Sequence, residues 1–204
     1  MLIQIEAADR YLLSAISDAM AEAARRSGDW LVCRPGCTEC CFGPFAITAL
    51  DAIRLQRGLA QLEQTDPERS RAVRMRAADY IRAISSLYPG DPATGELFDK
   101  DALPEAMDDL ACPALDPATG CCDLYSSRPI TCRTFGPVTH VEGEALGACE
   151  LCYTGASEEQ MAACAVEIDP ENIEGNLLAS LEAQGIRGET IVAYALVSGL
   201  PISQ

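Results

Sequence analysis

Ten of the chain's eleven cysteines fall in two blocks, 33–41 and 112–152, and no other feature of the 204 residues limits the fold so strongly. The first block, CRPGCTECCFGP, is bracketed by Pro35, Gly36, Gly43 and Pro44, which suit an irregular loop and not a helix or strand interior. With 49% hydrophobic residues the chain can build a core without covalent staples, so disulfide scaffolding loses its usual motive. The N-terminal MLIQIEAADRYLL carries Glu6, Asp9 and Arg10 where a signal peptide needs a basic start and an unbroken apolar run, and no stretch reaches transmembrane length. The expected compartment is the reducing cytoplasm, where clustered cysteines hold metals or catalyse, and an odd total fits that.

A net charge of -16 argues against nucleic acid or an anionic membrane as a partner. Seven arginines, at 54, 57, 69, 71, 74, 76 and 82, form a local exception, read as a solvated helix face paired with Glu68 and Asp79. The whole chain, 1–204, is expected to form one domain. Leu12, Ile16, Met20 and Ala23 recur at helical spacing over 6–28 and stop at Gly28. A second helix over 48–64 is capped by Thr48 with Asp51 reaching back, and buries Ile53, Leu55, Leu59 and Leu62. Asp66 and Pro67 open a third over 66–87. From Tyr88 to Asp109 the composition predicts a loop. The last region, 169–199, holds a helix capped by Asp169, with Pro170 first and Gly185 at its end, and then the apolar run TIVAYALVSG, closed by Gly199 and Pro201. That run reads as a buried helix, with a strand as the alternative.

The pentapeptide DPATG occurs at 91–95 and again at 116–120. Asp, then Pro, and a glycine that tolerates positive φ predict a tight turn, so the second copy folds Cys112 back toward Cys122 in a short hairpin. RPITC then sets Pro129 at the start of a helical turn, with Cys132 near its N-terminal end. Cys37-Thr-Glu-Cys40 forms a knuckle whose two-residue spacing lets both sulfurs face one metal. Cys40 and Cys41 are adjacent, and in extended backbone their side chains diverge, so they touch two metals or one of them only packs.

Cys-x3-Cys-x2-Cys-Cys at 33–41 followed by CPALDPATGCCDLYSSRPITCRTFG at 112–136 resembles the YkgJ-type cysteine-cluster family, the CxxCxxCC or zinc/iron-chelating domain. The first interval departs from it, holding three residues where the family name has two. The resemblance implies metal ligation by Cys33, Cys37, Cys40, Cys41, Cys112, Cys122 and Cys132, while Cys121 has no counterpart. Tyr125, Arg128 and Arg133 belong to the same pattern, the arginines offsetting thiolate charge beside a bound cofactor. The motif also resembles the cysteine cluster of flagellin lysine methylases, although the chain has no separate cofactor fold for methyl transfer.

A zinc site or a cubane cluster takes four protein ligands, so seven leave a position open. Cys149 and Cys152, in GACELC, form a further knuckle that could close a second site, and both count as candidate ligands. Cys164 reads as a core residue on a helix, and His140, the only histidine, as a loop side chain. The expected fold is mostly α, with helices packed around an irregular cysteine-rich, metal-held centre and at most a short β-hairpin. The leading functional reading is an iron-sulfur cluster, of [4Fe-4S] type, for electron transfer or chemistry at an open metal position. The alternative is structural zinc in a protein whose acidic helical surface binds a protein partner.

Overall fold

The computed structural model describes residues 2–141 and 143–197. In chain order the regular elements are α1 (Leu2–Ser27), β1 (Ile47–Thr48), α2 (Ala49–Thr65), α3 (Pro67–Ile84), β2 (Leu115–Asp116), β3 (Cys121–Cys122), α4 (Ile130–Thr134), β4 (Thr139–Val141), β5 (Glu144–Ala145), α5 (Glu158–Cys164), β6 (Val166–Glu167), α6 (Ile173–Glu182), β7 (Glu189–Thr190) and α7 (Val192–Val197). Helices dominate, as the apolar periodicity predicts. Beyond the predicted hairpin, β2 with β3, the strands form a β1–β7 pair and a three-stranded sheet ordered β5-β4-β6. The chain divides into two compact units, Met1–Arg34 with Ile130–Ser180, and Pro35–Pro129 with Leu181–Gln204.

The second unit contains the larger core. Thr48 caps α2 by accepting from the Asp51 amide, and Asp66 caps α3 by accepting from the Arg69 amide with Pro67 at the helix start. Leu55 and Leu59 of α2, Val73 and Ala77 of α3, and Ala195 and Leu196 of α7 pack with Ala114 and Leu124, and Cys112 and Cys122 lie against this cluster. Ile53 and Leu62 are only partly buried. Gly58, inside α2, allows a close approach by the 3-10 turn Tyr125–Ser127, since a Cβ there would meet the Ser127 Oγ at 2.3 Å.

The 88–109 stretch is more ordered than its composition suggests. Both DPATG copies make the same turn: Asp91 accepts from the Ala93 amide and the Thr94 hydroxyl, and Asp116 from the Ala118 amide and the Thr119 hydroxyl. Gly95 and Gly120 close them at φ 79° and 67°. A Gly90–Leu97 bridge makes a hairpin of the first copy too.

In the first unit, Leu12, Ile16 and Ala23 form the buried stripe of α1, and Met20 is partly exposed. Val138, Cys149, Cys152, Tyr153 and Cys164 make a separate core cluster. Cys164 ends α5, buried as expected, its thiol donating to the Arg26 carbonyl at 3.4 Å. His140 is not a loop residue, because it pairs with Ala145 and Glu167 in the centre strand of the sheet. The helix predicted from Pro170 begins at Ile173: Asp169 takes φ 53° and caps from further upstream, accepting from the Ile173 and Glu174 amides at 2.8 and 2.7 Å. TIVAYALVSG divides between β7 and α7, and Gly199 and Pro201 lie outside the described residues.

Candidate metal centre

All eleven cysteines are thiols outside any disulfide. In the second unit the two cysteine blocks meet through backbone. Phe42 pairs with Ala111 in an antiparallel bridge, the Cys112 amide donates to the Cys41 carbonyl at 2.7 Å, and the Gly43 amide donates to the Leu110 carbonyl at 3.0 Å. The β2–β3 register sets Leu115 opposite Cys122, so the hairpin returns Cys122 beside the strand that follows Cys112. A Cβ on Gly120, at the hairpin turn, would stand 3.7 Å from Thr38, which brings the Cys37 loop against the same hairpin.

Cys40 and Cys41 do not lie in extended backbone. They close a 3-10 turn, Glu39–Cys41, in which consecutive side chains need not diverge, and their thiols hydrogen-bond each other. The proton shared from Cys41 holds Cys40 down to about 6, helped by the Arg128 charge. The same bond, burial, and the nearby Cys112 and Cys122 sulfurs push Cys41 up. Burial drives Cys112 up to about 11 against hydrogen bonds from the Ala114 and Leu115 amides. Burial also raises Cys122, opposed by the Leu124 amide and Arg128. Amides two and three residues beyond a cysteine and aimed at its sulfur are what a metal-binding knuckle provides, because they favour thiolate.

Arg128 rests on the exposed Tyr125 ring with its guanidinium carbon 3.8 Å from the centroid. Cys121 is exposed and turned to the Thr119 carbonyl.

The first unit carries Cys33, Cys132, Cys149 and Cys152, with Arg133 next to Cys132 on α4. Cys149 and Cys152 are buried and hydrogen-bonded to each other, and the Leu151 and Cys152 amides point at the Cys149 sulfur, whose pKa burial raises. Gly136, at φ 124°, leaves room for the Cys33 sulfur, which a Cβ would meet at 2.8 Å, and its carbonyl accepts from the Cys149 amide at 3.1 Å. Cys132 is half-buried at the third position of α4.

Among the described residues no group of three or more Cys, His, Asp or Glu side chains is set to hold a metal ion as it stands. Cys40 with Cys41, and Cys149 with Cys152, are linked as thiols, so ligation requires their deprotonation. The donor chemistry nonetheless fits zinc or iron: soft sulfurs, amide N–H groups directed at them, and a guanidinium at hand.

A family model described as "Putative zinc- or iron-chelating domain", CxxCxxCC, matches residues 32–153. The chain belongs to this family. The matched segment runs from just before Cys33 to just past Cys152, so GACELC lies inside it. No curated protein and no solved structure matches the chain. Among the described residues no helix is long and apolar enough to cross a membrane.

Sequence reasoning missed Asp123 and read Arg69 and Arg76, its two partners, as part of a solvated helix face. The Asp123 side chain is 1% exposed and receives Arg69 Nε on one oxygen and Arg76 Nη2 on the other, the latter at 2.6 Å. Its position next to Cys122 and the seven-residue spacing of the arginines, which puts both on one helix face, were the available signals.

Proposed function

We propose that this metal-binding chain holds an iron-sulfur cluster, with Cys37, Cys40, Cys41, Cys112 and Cys122 as candidate ligands in the second unit and Cys33, Cys132, Cys149 and Cys152 as candidates in the first. The observation that carries the reading is the mutual influence of Cys40, Cys41, Cys112 and Cys122, four sulfurs from two distant blocks in one electrostatic neighbourhood. Four is the number a cubane or a single zinc ion takes, and Cys37 lies in the same unit as a fifth donor, more than one zinc site uses. When bound, such a cluster supplies one-electron transfer or an iron open to substrate. The chain's own residues prepare the thiolates: Cys40 deprotonates first, and the Ala114, Leu115 and Leu124 amides offset the burial that opposes charge on Cys112 and Cys122. Arg128 supplies a positive charge to Cys40 and Cys122.

Purification without oxygen, a visible spectrum, and quantification of iron, sulfide and zinc test the proposal. A brown protein with iron and sulfide in cluster ratio is the expected result. Colourless protein with stoichiometric zinc and no sulfide overturns it in favour of structural zinc, a site whose remaining role would be to hold a surface for a protein partner.

A further inference from the structure

We propose that Arg76 is a positioning residue for the metal centre, one guanidinium that fixes the spacing of the Cys112 and Cys122 segments. This rests on the metal-binding reading above.

Arg76 leaves α3 and forks. Its Nε donates to the Pro113 carbonyl at 2.9 Å, and its Nη2 donates to Asp123 at 2.6 Å. Pro113 follows Cys112 and Asp123 follows Cys122, so each prong holds the residue next to one candidate ligand. The Asp123 amide donates to the Ala114 carbonyl at 2.7 Å, closing the same span through backbone. Arg69 occupies the second Asp123 oxygen, which leaves the carboxylate one orientation.

The energetic case is that a carboxylate 1% exposed is costly unless fully paired. Beside thiolates it would also repel them. The geometry turns that liability into an anchor: with two guanidiniums on it, the Asp123 carboxylate is paired on both oxygens beside Cys122. Arginine suits the task because its planar fork reaches two acceptors at fixed separation, whereas lysine offers a point charge. Residues that orient ligands without touching the metal typically contribute 10- to 100-fold in affinity.

The test uses the full chain, metal-free, titrated with Co2+, whose sulfur-to-metal absorption reports thiolate ligation, and then with Zn2+ in competition. Arg76→Ala is expected to weaken Co2+ about 10- to 100-fold and to alter the shape of the cobalt spectrum. Arg74→Ala, an exposed neighbour on the same helix paired with Glu63, leaves both unchanged. Arg76→Lys keeps the charge and loses the fork, so it restores only part of the affinity. Should Arg76→Ala fail to fold, Asp123→Asn carries the same expectation, because it removes the charge that anchors both arginines. Folded Arg76→Ala or Asp123→Asn protein with wild-type affinity and spectrum overturns the positioning role, as does full restoration by lysine. Wild-type protein that binds neither cobalt, zinc nor iron overturns the metal reading itself, and the role of Arg76 with it.

Discussion

Replacing Gly58 by alanine sets two effects of known size against each other. In an exposed helix interior the change stabilises by about 1 kcal/mol. In α2 the new methyl would stand 2.5 Å from the Ser127 Cβ and 2.3 Å from its Oγ, where ordinary contact starts at 3.4 Å. The 124–127 turn, closed by the Ser127 amide on the Leu124 carbonyl at 2.8 Å, must therefore retreat by close to an ångström. Overpacking of that kind costs about 1–3 kcal/mol, so Gly58→Ala nets a loss of up to about 2 kcal/mol. The same retreat draws Arg128 away from Cys40 and Cys122, so metal affinity should fall together with stability. Urea unfolding of the metal-free protein gives the first quantity, and a double-mutant cycle with Ser127→Gly gives the decisive one, since removing the Ser127 side chain relieves the clash. The expected coupling is about 1–3 kcal/mol. Gly58→Ala protein more stable than wild type by the full propensity gain, with no coupling to Ser127, would refute the close approach.

Single serine replacements of Cys40, Cys112 and Cys122 should sharply lower the metal bound per chain in elemental analysis, whereas Cys121→Ser, exposed, and Cys164→Ser, in the apolar cluster of the other unit, should leave it nearly intact. In metal-free protein at neutral pH, alkylation mapped by peptide mass should reach Cys40 well before Cys41. The hydrogen bond between them lowers the one to about 6 and raises the other, so Cys40 reactivity is lost as pH falls through that value; equal rates would contradict the pairing. Arg54→Ala removes one partner of an ion pair at 2.6 Å whose side chains are both 4% exposed, and should cost about 3–5 kcal/mol in urea unfolding, a loss under about 1 kcal/mol counting against it. Leu59→Ala, at 2% exposure in the main core, should cost about 2–5 kcal/mol by the same measurement.

The parts legible in the sequence are those governed by neighbours in the chain. Thr48 and the Asp66–Pro67 pair mark helix starts because a cap needs only an amide three residues on. DPATG folds alike at both copies because its Asp binds an amide two residues away and a hydroxyl three away, whatever lies outside. Local rules also mislead where one residue takes an unusual conformation: Asp169, at φ 53°, caps α6 from farther upstream than a normal N-cap and displaces Pro170 from the helix. Cys40 and Cys41 looked divergent on the assumption of extended chain, and the 3-10 turn removes that assumption.

The arginine run was the least legible part, since an arginine's partner need not be near in sequence. Asp79 does take Arg82, as charge spacing suggested. Arg54, however, turns inward to Asp51, and Arg69 and Arg76 reach Asp123, more than forty residues on. Cys112 and Cys122 pack against an apolar core, the surroundings least tolerant of a thiolate, and burial raises both. A chain of net charge -16 offers little positive potential to counter that, so cations have to be brought to the sulfurs individually. Arg76 lowers Cys112, and Arg128 lowers Cys122. Part of the basic stretch, Arg69 and Arg76, is thereby committed to the hairpin that carries these cysteines.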